Sequence, residues 1–310
     1  MAKMTEKLIP SDAGIARAGQ VLRDGGLVAF PTETVYGLGA DARNGQAVAA
    51  IYDAKGRPSF NPLIVHVATR EAAFDLGVFP KAARDMVADG WPEGLSLVVP
   101  FDAEAGLSPL VTAGKTTVAL RVPAAPVTRR LLSDFGGPVA APSANVSGRI
   151  SPTSASHVLS GLDGIIDAVL DGGETSAGLE STIIGFSEGV PVVYREGVYQ
   201  VAESMARVTS AKGDAVDAPG QLASHYAPKG QVRLNALQVD AGEWHLGFGD
   251  VPGDVTLSAN GDLREAAANL FALLHQADGL GKVAIAVAPI PDQGLGRAIN
   301  DRLRRAAAPR

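Results

Sequence analysis

Two cations stand one residue apart in the stretch Lys55-Gly56-Arg57-Pro58-Ser59-Phe60-Asn61-Pro62. If that stretch is extended, Lys55 and Arg57 project to the same side, because strand side chains repeat every two residues. Such a pair suits a polyphosphate, with Arg57 as a bidentate fork and Lys55 as a point charge; the plainer reading of K-x-R is a solvated basic loop. A second stretch, Ala140-Ala141-Pro142-Ser143-Ala144-Asn145-Val146-Ser147-Gly148, leaves an apolar strand for small polar residues. Loops after strand C-termini are where open α/β sheets bind ligands. Ser143, Asn145 and backbone N–H groups can donate to phosphate there, or form an ordinary Asx or Ser turn.

A third stretch, Phe30-Pro31-Thr32-Glu33-Thr34-Val35-Tyr36-Gly37-Leu38-Gly39, ends a strand in hydroxyls, a carboxylate and glycines. Thr32 and Thr34 either line a polar pocket for a small substrate or shape a turn. Gly37 to Ala42 formally matches G-x-G-x-x-A, but its glycines do not directly follow the strand and the next helix begins only near Asn44, so it is not read as a dinucleotide site. Isolated polar residues also sit beside apolar runs: His66, Arg121, Ser181-Thr182 and Arg195. A buried bare charge is very costly, so Arg121 and Arg195 each require an anion, from a ligand or from an internal carboxylate. His66 alone reads as a hydrogen-bonded core residue as readily as a catalyst. P-loop, G-x-S-x-G and kinase signatures are absent.

These residues must be positioned by alternating elements. Ser11 to Gly25 reads as a helix capped by Ser11, and Asn44 to Ala54 as a helix capped by Asn44. Helices are expected to open at Pro80 and Pro126, with a short one between Thr153 and Leu159. Strands are expected at Leu27–Phe30, Leu63–Val67, Leu95–Val99, Val118–Val122, Val139–Ala141, Ala168–Leu170, Ser181–Phe186 and Pro191–Tyr194. Turn signals this dense and irregular imply an α/β domain with a mixed sheet. Periodicity fades from Val208 to Gly230, where Gly213, Pro219, Gly220 and Pro228 break any element. Beyond it, a strand at Val232–Leu237, a helix at Asp262–Ala277, a strand at Val283–Ala288 and a helix at Gly296–Arg305 make a small α/β unit. The division is therefore 1–207, a linker 208–230, and 231–310.

Composition narrows the chemistry. The 310 residues are 46% hydrophobic and 19% charged, a globular balance. There is no cysteine, which excludes disulfides, thiolate nucleophiles and cysteine-ligated metals, and the five histidines show no metal-site spacing, so no protein-bound metal is expected. A Mg²⁺ ion carried in by a nucleotide needs few protein ligands. A net charge of −6 argues against a chain whose main task is coating nucleic acid, so any RNA contact is expected to be weak. Met1 to Pro10 lacks the apolar core of a secretory signal and no run approaches the ~20 residues of a membrane span, so a cytoplasmic place away from membranes is expected.

Together these motifs resemble the threonylcarbamoyl-AMP synthase family, in its long form with a YrdC-like catalytic domain and a second domain. The hallmark K-x-R followed by S-x-N is matched by Lys55, Arg57, Ser143 and Asn145, and Pro31–Gly39 is equally typical. Pro219-Gly220 through Ser224-His225-Tyr226-Ala227-Pro228 resembles the family's interdomain linker, and Gly294 to Arg302 the end of its second domain. Trp91-Pro92-Glu93-Gly94-Leu95-Ser96 departs from the usual W-P-G-P-L-T.

The resemblance implies a YrdC-like fold with a twisted mixed sheet flanked by helices, plus a Rossmann-like C-terminal domain. It implies an enzyme that converts L-threonine, bicarbonate and ATP, with Mg²⁺ on the nucleotide, into threonylcarbamoyl-AMP and pyrophosphate. A partner transferase then carries the group to adenosine 37 of tRNA. By the same resemblance Lys55 and Arg57 are catalytic, and Arg57, Asn61, Thr117, Ser143, Asn145, Ser151 and Arg195 hold ATP. Thr34, His66, Arg121, Ala141 and Ser181 would hold threonine, and the linker at His225 and Tyr226 would close as a lid. A carbamoyl-adenylating domain of hydrogenase maturation resembles the same catalytic fold, but its long forms carry cysteine zinc fingers, which this chain cannot build.

Overall fold

The computed structural model describes residues 4–208 and 225–309. Its first unit opens with β1 (Glu6–Leu8), α1 (Asp12–Arg23), β2 (Val28–Phe30), β3 (Gly37–Asp41), α2 (Gly45–Lys55) and β4 (Ile64–His66). It continues through α3 (Arg70–Phe74), α4 (Lys81–Gly90), β5 (Leu95–Pro100), α5 (Pro109–Thr112), β6 (Thr117–Arg121), α6 (Pro126–Phe135) and β7 (Val139–Ala140). It closes with α7 (Ala155–Leu162), β8 (Ala168–Leu170), β9 (Thr182–Ser187), β10 (Val190–Arg195) and β11 (Ala206–Arg207). Ser11 Oγ accepts from Gly14 N–H, and Asn44 Oδ1 from the N–H groups of Gln46 and Ala47, which fixes where α1 and α2 begin.

The eleven strands form one mixed sheet in the order β1-β8-β2-β3-β7-β4-β6-β5-β9-β10-β11. Alternation decides its two faces. Val28 and Phe30 pack with Leu22 of α1 and Leu131 and Leu132 of α6, whereas Ala29 between them packs with Val48 and Ile51 of α2. In the middle of the sheet β4 runs parallel to β6 with His66 opposite Arg121, and antiparallel to β7 with Val65 opposite Ala140.

The second unit holds β12 (Gln231–Arg233), β13 (Trp244–Gly247), β14 (Val255–Thr256), α8 (Leu263–Gly279), β15 (Ala284–Val287) and α9 (Leu295–Ala306). Its four strands are all parallel, in the order β12-β15-β13-β14. The expected strand Val232–Leu237 stops early because Asn235 turns the chain at φ 56°. The core of this unit, around Leu246, Phe271, Leu274, Ile285 and Leu303, also takes in Val35, Ile150, Leu179 and Tyr226. Loops of the first unit thus share apolar contacts with the second unit across the seam. Most of the expected linker 208–230, including Pro219, Gly220 and Ser224, lies outside the described residues.

Candidate active site

A cleft lies over the middle of the first sheet. Its floor is Gly37 of β3, Ile64 and His66 of β4, Arg121 of β6 and Ala141 just past β7; Ile64 and His66 share a face by the two-residue repeat. The β2–β3 turn supplies Thr32 and Thr34, the turn after β7 supplies Ser143, and the strand ends of β9 and β10 supply Ser181 and Arg195. Arg57 enters from the loop after α2, and His225 and Tyr226 close the top. About 50 Å³ of free space remains inside.

Arg121 is buried and aimed by Glu33: its Nη2 donates to Glu33 Oε1 at 2.5 Å and to Thr34 Oγ1 at 2.9 Å, while Nε has no partner. Of the two sources of an anion open to Arg121 from sequence, the internal carboxylate is present, with a further donor left over. Burial works to raise the Glu33 pKa, but the Arg121 charge and hydrogen bond, together with backbone N–H donors at Glu33 and Ala124, hold the carboxylate below its usual value. The second Glu33 oxygen accepts from the N–H of Ala124 at 2.9 Å, anchoring the pair. Beside Arg121, His66 leaves Nδ1 unpartnered. Burial, reinforced by the Arg121 charge, draws its pKa to about 3, so the imidazole is neutral at physiological pH. The Ala141 N–H is engaged by Ile64 O at 2.9 Å.

On the opposite side, Arg195 donates from Nη2 to Ser181 O at 2.8 Å and to Ser181 Oγ at 3.1 Å, and Ser181 Oγ is itself 2.8 Å from Ser96 Oγ. Arg57 is tied at its base to the carbonyls of Asn61 (3.2 Å) and Pro62 (2.9 Å). Burial lowers Arg57 and Arg195 to about 10 each, and both stay cationic at neutral pH. Three guanidinium groups therefore border one small cleft.

Lys55 is a correction to the extended-strand reading. It is the last residue of α2, and Gly56 turns the chain at φ 57°, so Lys55 and Arg57 do not project together. Lys55 Nζ instead donates to the carbonyls of Ser143 at 2.6 Å and Asn145 at 2.5 Å, buried behind the cleft. It braces the loop that presents Ser143. Asn145 donates to Val146 O and Arg149 O, leaving Oδ1 unpartnered, as is Asn61 Oδ1; neither residue lines the cleft as it stands. Ser151 is also behind the wall, its Oγ donating to Glu180 Oε1 at 2.5 Å. Thr117 is four residues from Arg121 on β6, roughly 13 Å along the strand, and stands outside the cleft.

Sequence reasoning left out Glu180 and Arg302. Glu180 lines the cleft and precedes Ser181, yet nothing local says that Arg302, 122 residues later, donates to its Oε2 at 2.9 Å. The two residues expected to form a lid are both buried: the His225 ring lies edge-on to Tyr226 at 4.0 Å, and Tyr226 stacks on Phe271 of α8 at 5.4 Å. His225 Nδ1 and the Tyr226 hydroxyl have no hydrogen-bond partner. Among the described residues no group of three or more His, Asp or Glu is arranged to hold a metal.

Comparison with known proteins gives the geometry its relatives. Residues 20–197 match the model of the Sua5–YciO–YrdC family, described as telomere recombination, and residues 193–308 match a model described as threonylcarbamoyl-AMP synthase, C-terminal domain. A Bacillus subtilis threonylcarbamoyl-AMP synthase is 39% identical over 335 residues, spanning 99% of this chain and 96% of the relative. A Schizosaccharomyces pombe protein of the same name is 35% identical, spanning 96% and 88%. The crystal structure of Pyrococcus abyssi Sua5 complexed with L-threonine superposes with a TM-score of 0.89 at 35% identity, spanning 98% of this chain and 97% of that one. Both units are matched, in order and nearly end to end, and this chain belongs to the threonylcarbamoyl-AMP synthase family.

Proposed function

We propose that this protein joins L-threonine, bicarbonate and ATP into threonylcarbamoyl-AMP with release of pyrophosphate. The observation that carries the reading is one cleft bordered by Arg57, Arg121 and Arg195, with unfilled hydrogen-bonding atoms on His66, Arg121, His225 and Tyr226. Buried polar atoms are nearly always paired, so a cluster of orphans is room for a polar ligand.

In this reading Arg121, with Thr34, Ser181 and neutral His66, holds threonine, the guanidinium taking the carboxylate. Threonine's ammonium releases a proton to solvent, the free amine adds to bicarbonate with loss of water, and an oxygen of the resulting carbamate attacks the α-phosphorus, breaking its bond to the bridging oxygen as pyrophosphate leaves. With a pKa of about 3, His66 is a poor acceptor for the amine proton, and it acts by hydrogen bonding through Nδ1. Arg57, Arg195 and the Ser143 loop neutralise and align the polyphosphate, with Asn61, Thr117, Asn145 and Ser151 reached by the remainder of ATP once the lid lifts. Lys55 contributes by fixing that loop. A Mg²⁺ ion entering with the nucleotide would offset phosphate charge and would find few protein ligands in the cleft, because the carboxylate of Glu180 is already taken by Ser151 and Arg302.

The free space of about 50 Å³ is far below the roughly 300–1,000 Å³ typical of ligand clefts, so the His225–Tyr226 segment must move to admit the nucleotide. That supports its role as a lid within a linker 208–230, between a catalytic domain 1–207 and a second domain 231–310. The product then passes to a transferase that modifies adenosine 37 of tRNA in the cytoplasm. Incubation with ATP, labelled bicarbonate and each amino acid in turn tests the reading: an adenylate should form with threonine, and formation without any amino acid, or none at all, would refute it.

A further inference from the structure

Arg302 of α9 is fully buried, a rare condition for arginine unless it is paired. Most of its partners lie outside its own unit. Nε donates to Glu180 Oε2 at 2.9 Å, Nη1 donates to the Glu196 carbonyl at 2.6 Å, and the guanidinium lies 5.5 Å from the centre of the Tyr226 ring. Asp301 Oδ2, 3.2 Å from Nη1, is its contact within the second unit. Two of the outer partners line the cleft, Glu180, which also holds Ser151, and Tyr226, which covers it; the third, Glu196, directly follows the cleft residue Arg195. The same helix takes the lid backbone, since Arg305 O accepts from His225 N–H at 3.2 Å. From α8, His275 Nε2 lies 3.2 Å from Ser151 O.

Apolar side chains in place of both Arg302 and Glu180 could seal this seam about as stably, because replacing a whole buried ion pair by hydrophobic residues is often neutral or favourable. What an apolar side chain would not do is fix three separate chain segments in one register. We propose that Arg302 is a positioning residue, a latch by which the second domain holds Glu180, the Arg195 segment and the Tyr226 lid in the arrangement that binds ATP. Weakening the latch lowers nucleotide affinity although Arg302 does not line the cleft. The inference rests on the synthase reading above for its substrate, not for its geometry.

The test uses the full-length protein. R302K keeps a charge facing Glu180 but cannot reach all three partners; R302M/E180Q removes both charges, so that no bare carboxylate is left buried if R302M alone does not fold. Threonine-dependent pyrophosphate release is measured against ATP, and amide hydrogen exchange of residues 225–230 is measured without substrate. Both variants should raise KM for ATP on the order of tenfold with kcat within about threefold. The amides of His225 and Ala227 should exchange about tenfold faster while β4 and β6 keep their protection. Unchanged KM and exchange in both variants would overturn the latch, as would kcat and melting temperature falling together at constant KM. If the wild type releases no pyrophosphate with threonine, the synthase reading fails, and the exchange measurement still decides the latch.

Discussion

With ATP placed as proposed, the two sheets of this protein invert a common expectation about where nucleotides bind. The small second sheet is all parallel, and its strand ends form a cavity of about 240 Å³ near Asn235, Asp292, Asn300 and Arg304, the place where open α/β sheets usually take ligands. The cleft over the middle of the large mixed sheet is smaller, about 50 Å³, although the same unit has roomier hollows of about 350 Å³ beside Glu33 and about 380 Å³ beside Thr69. Yet four residues with unpartnered buried atoms, His66, Arg121, His225 and Tyr226, line the cleft of the first sheet, while those of Asn61, Asn145, Thr175 and Arg207 lie outside its lining. Among the described residues of the second unit, 231–309, Arg302 alone retains one, and its other nitrogens serve the first unit. Shape alone does not mark the site; unfilled hydrogen-bonding capacity does.

The sharpest test of that contrast removes a cation from the cleft. Arg57→Ala should lower threonine-dependent pyrophosphate release roughly a hundredfold or more, the scale expected for lost preorganised charge, with a smaller fall in melting than at Lys55, because Arg57 is only half-buried although the Asn61 and Pro62 carbonyls lose a donor. Lys55→Met should also be strongly impaired, but by a different route: two buried carbonyls lose their donor, and melting should fall by roughly 5 °C. Equal melting for the two variants would show that Lys55 is no brace. Next in size is Arg121→Lys, which keeps a charge beside Glu33 but loses the planar fork. KM for threonine should rise about tenfold while KM for ATP holds, and a change in ATP alone would move Arg121 to the other substrate.

How much of this was legible in the sequence depends on what each residue's partner is. Strands such as Val28–Phe30 and Leu95–Pro100 announce themselves by apolar runs, and Ser11 and Asn44 announce their helices by capping chemistry. β3 does not, because Gly37-Leu38-Gly39 looks like a turn; its glycine is required by the neighbour, since a Cβ on Gly39 would lie 2.5 Å from the Phe30 ring. β13, Trp244-His245-Leu246-Gly247, is buried throughout and so shows no alternation. At the site, Arg57, Arg121, Ser143, Ser181 and Arg195 were legible as residue types wanting anions or donors. The direction of Lys55 was not, because a single left-handed residue at Gly56 decides it. Arg302 could not be assigned, because its role exists only once α9 meets Glu180.

The contrast also has a pH signature. The unfolded chain protonates histidine near 6.5, whereas His66 and His275 titrate at about 3 in the folded protein, burial being the main cause in both. Between those values the unfolded state carries protons that the native state does not, so their contribution to stability is complete above about 6.5 and is lost as pH falls. Melting should drop by several degrees from pH 7 to pH 5, and His66→Asn should flatten part of that slope. An unchanged slope would mean that His66 is not held neutral by its burial.

The smallest effect is the one that decides whether the second cavity is a site at all. Asp292 lines it, but its Oδ1 already accepts from Asn300 Nδ2 at 3.2 Å, and the same amide donates to Ile290 O at 3.0 Å. A ligand entering there would have to displace these bonds and would meet no orphaned buried group in return, so polar recognition gains little. Asp292→Asn, which keeps an acceptor, and Arg304→Ala, which removes a neighbouring charge, should each leave pyrophosphate release within about twofold of wild type at saturating and at limiting ATP. A tenfold rise in KM for either variant would place a nucleotide contact on the parallel sheet, and the rule drawn from the first cleft would then no longer separate the two.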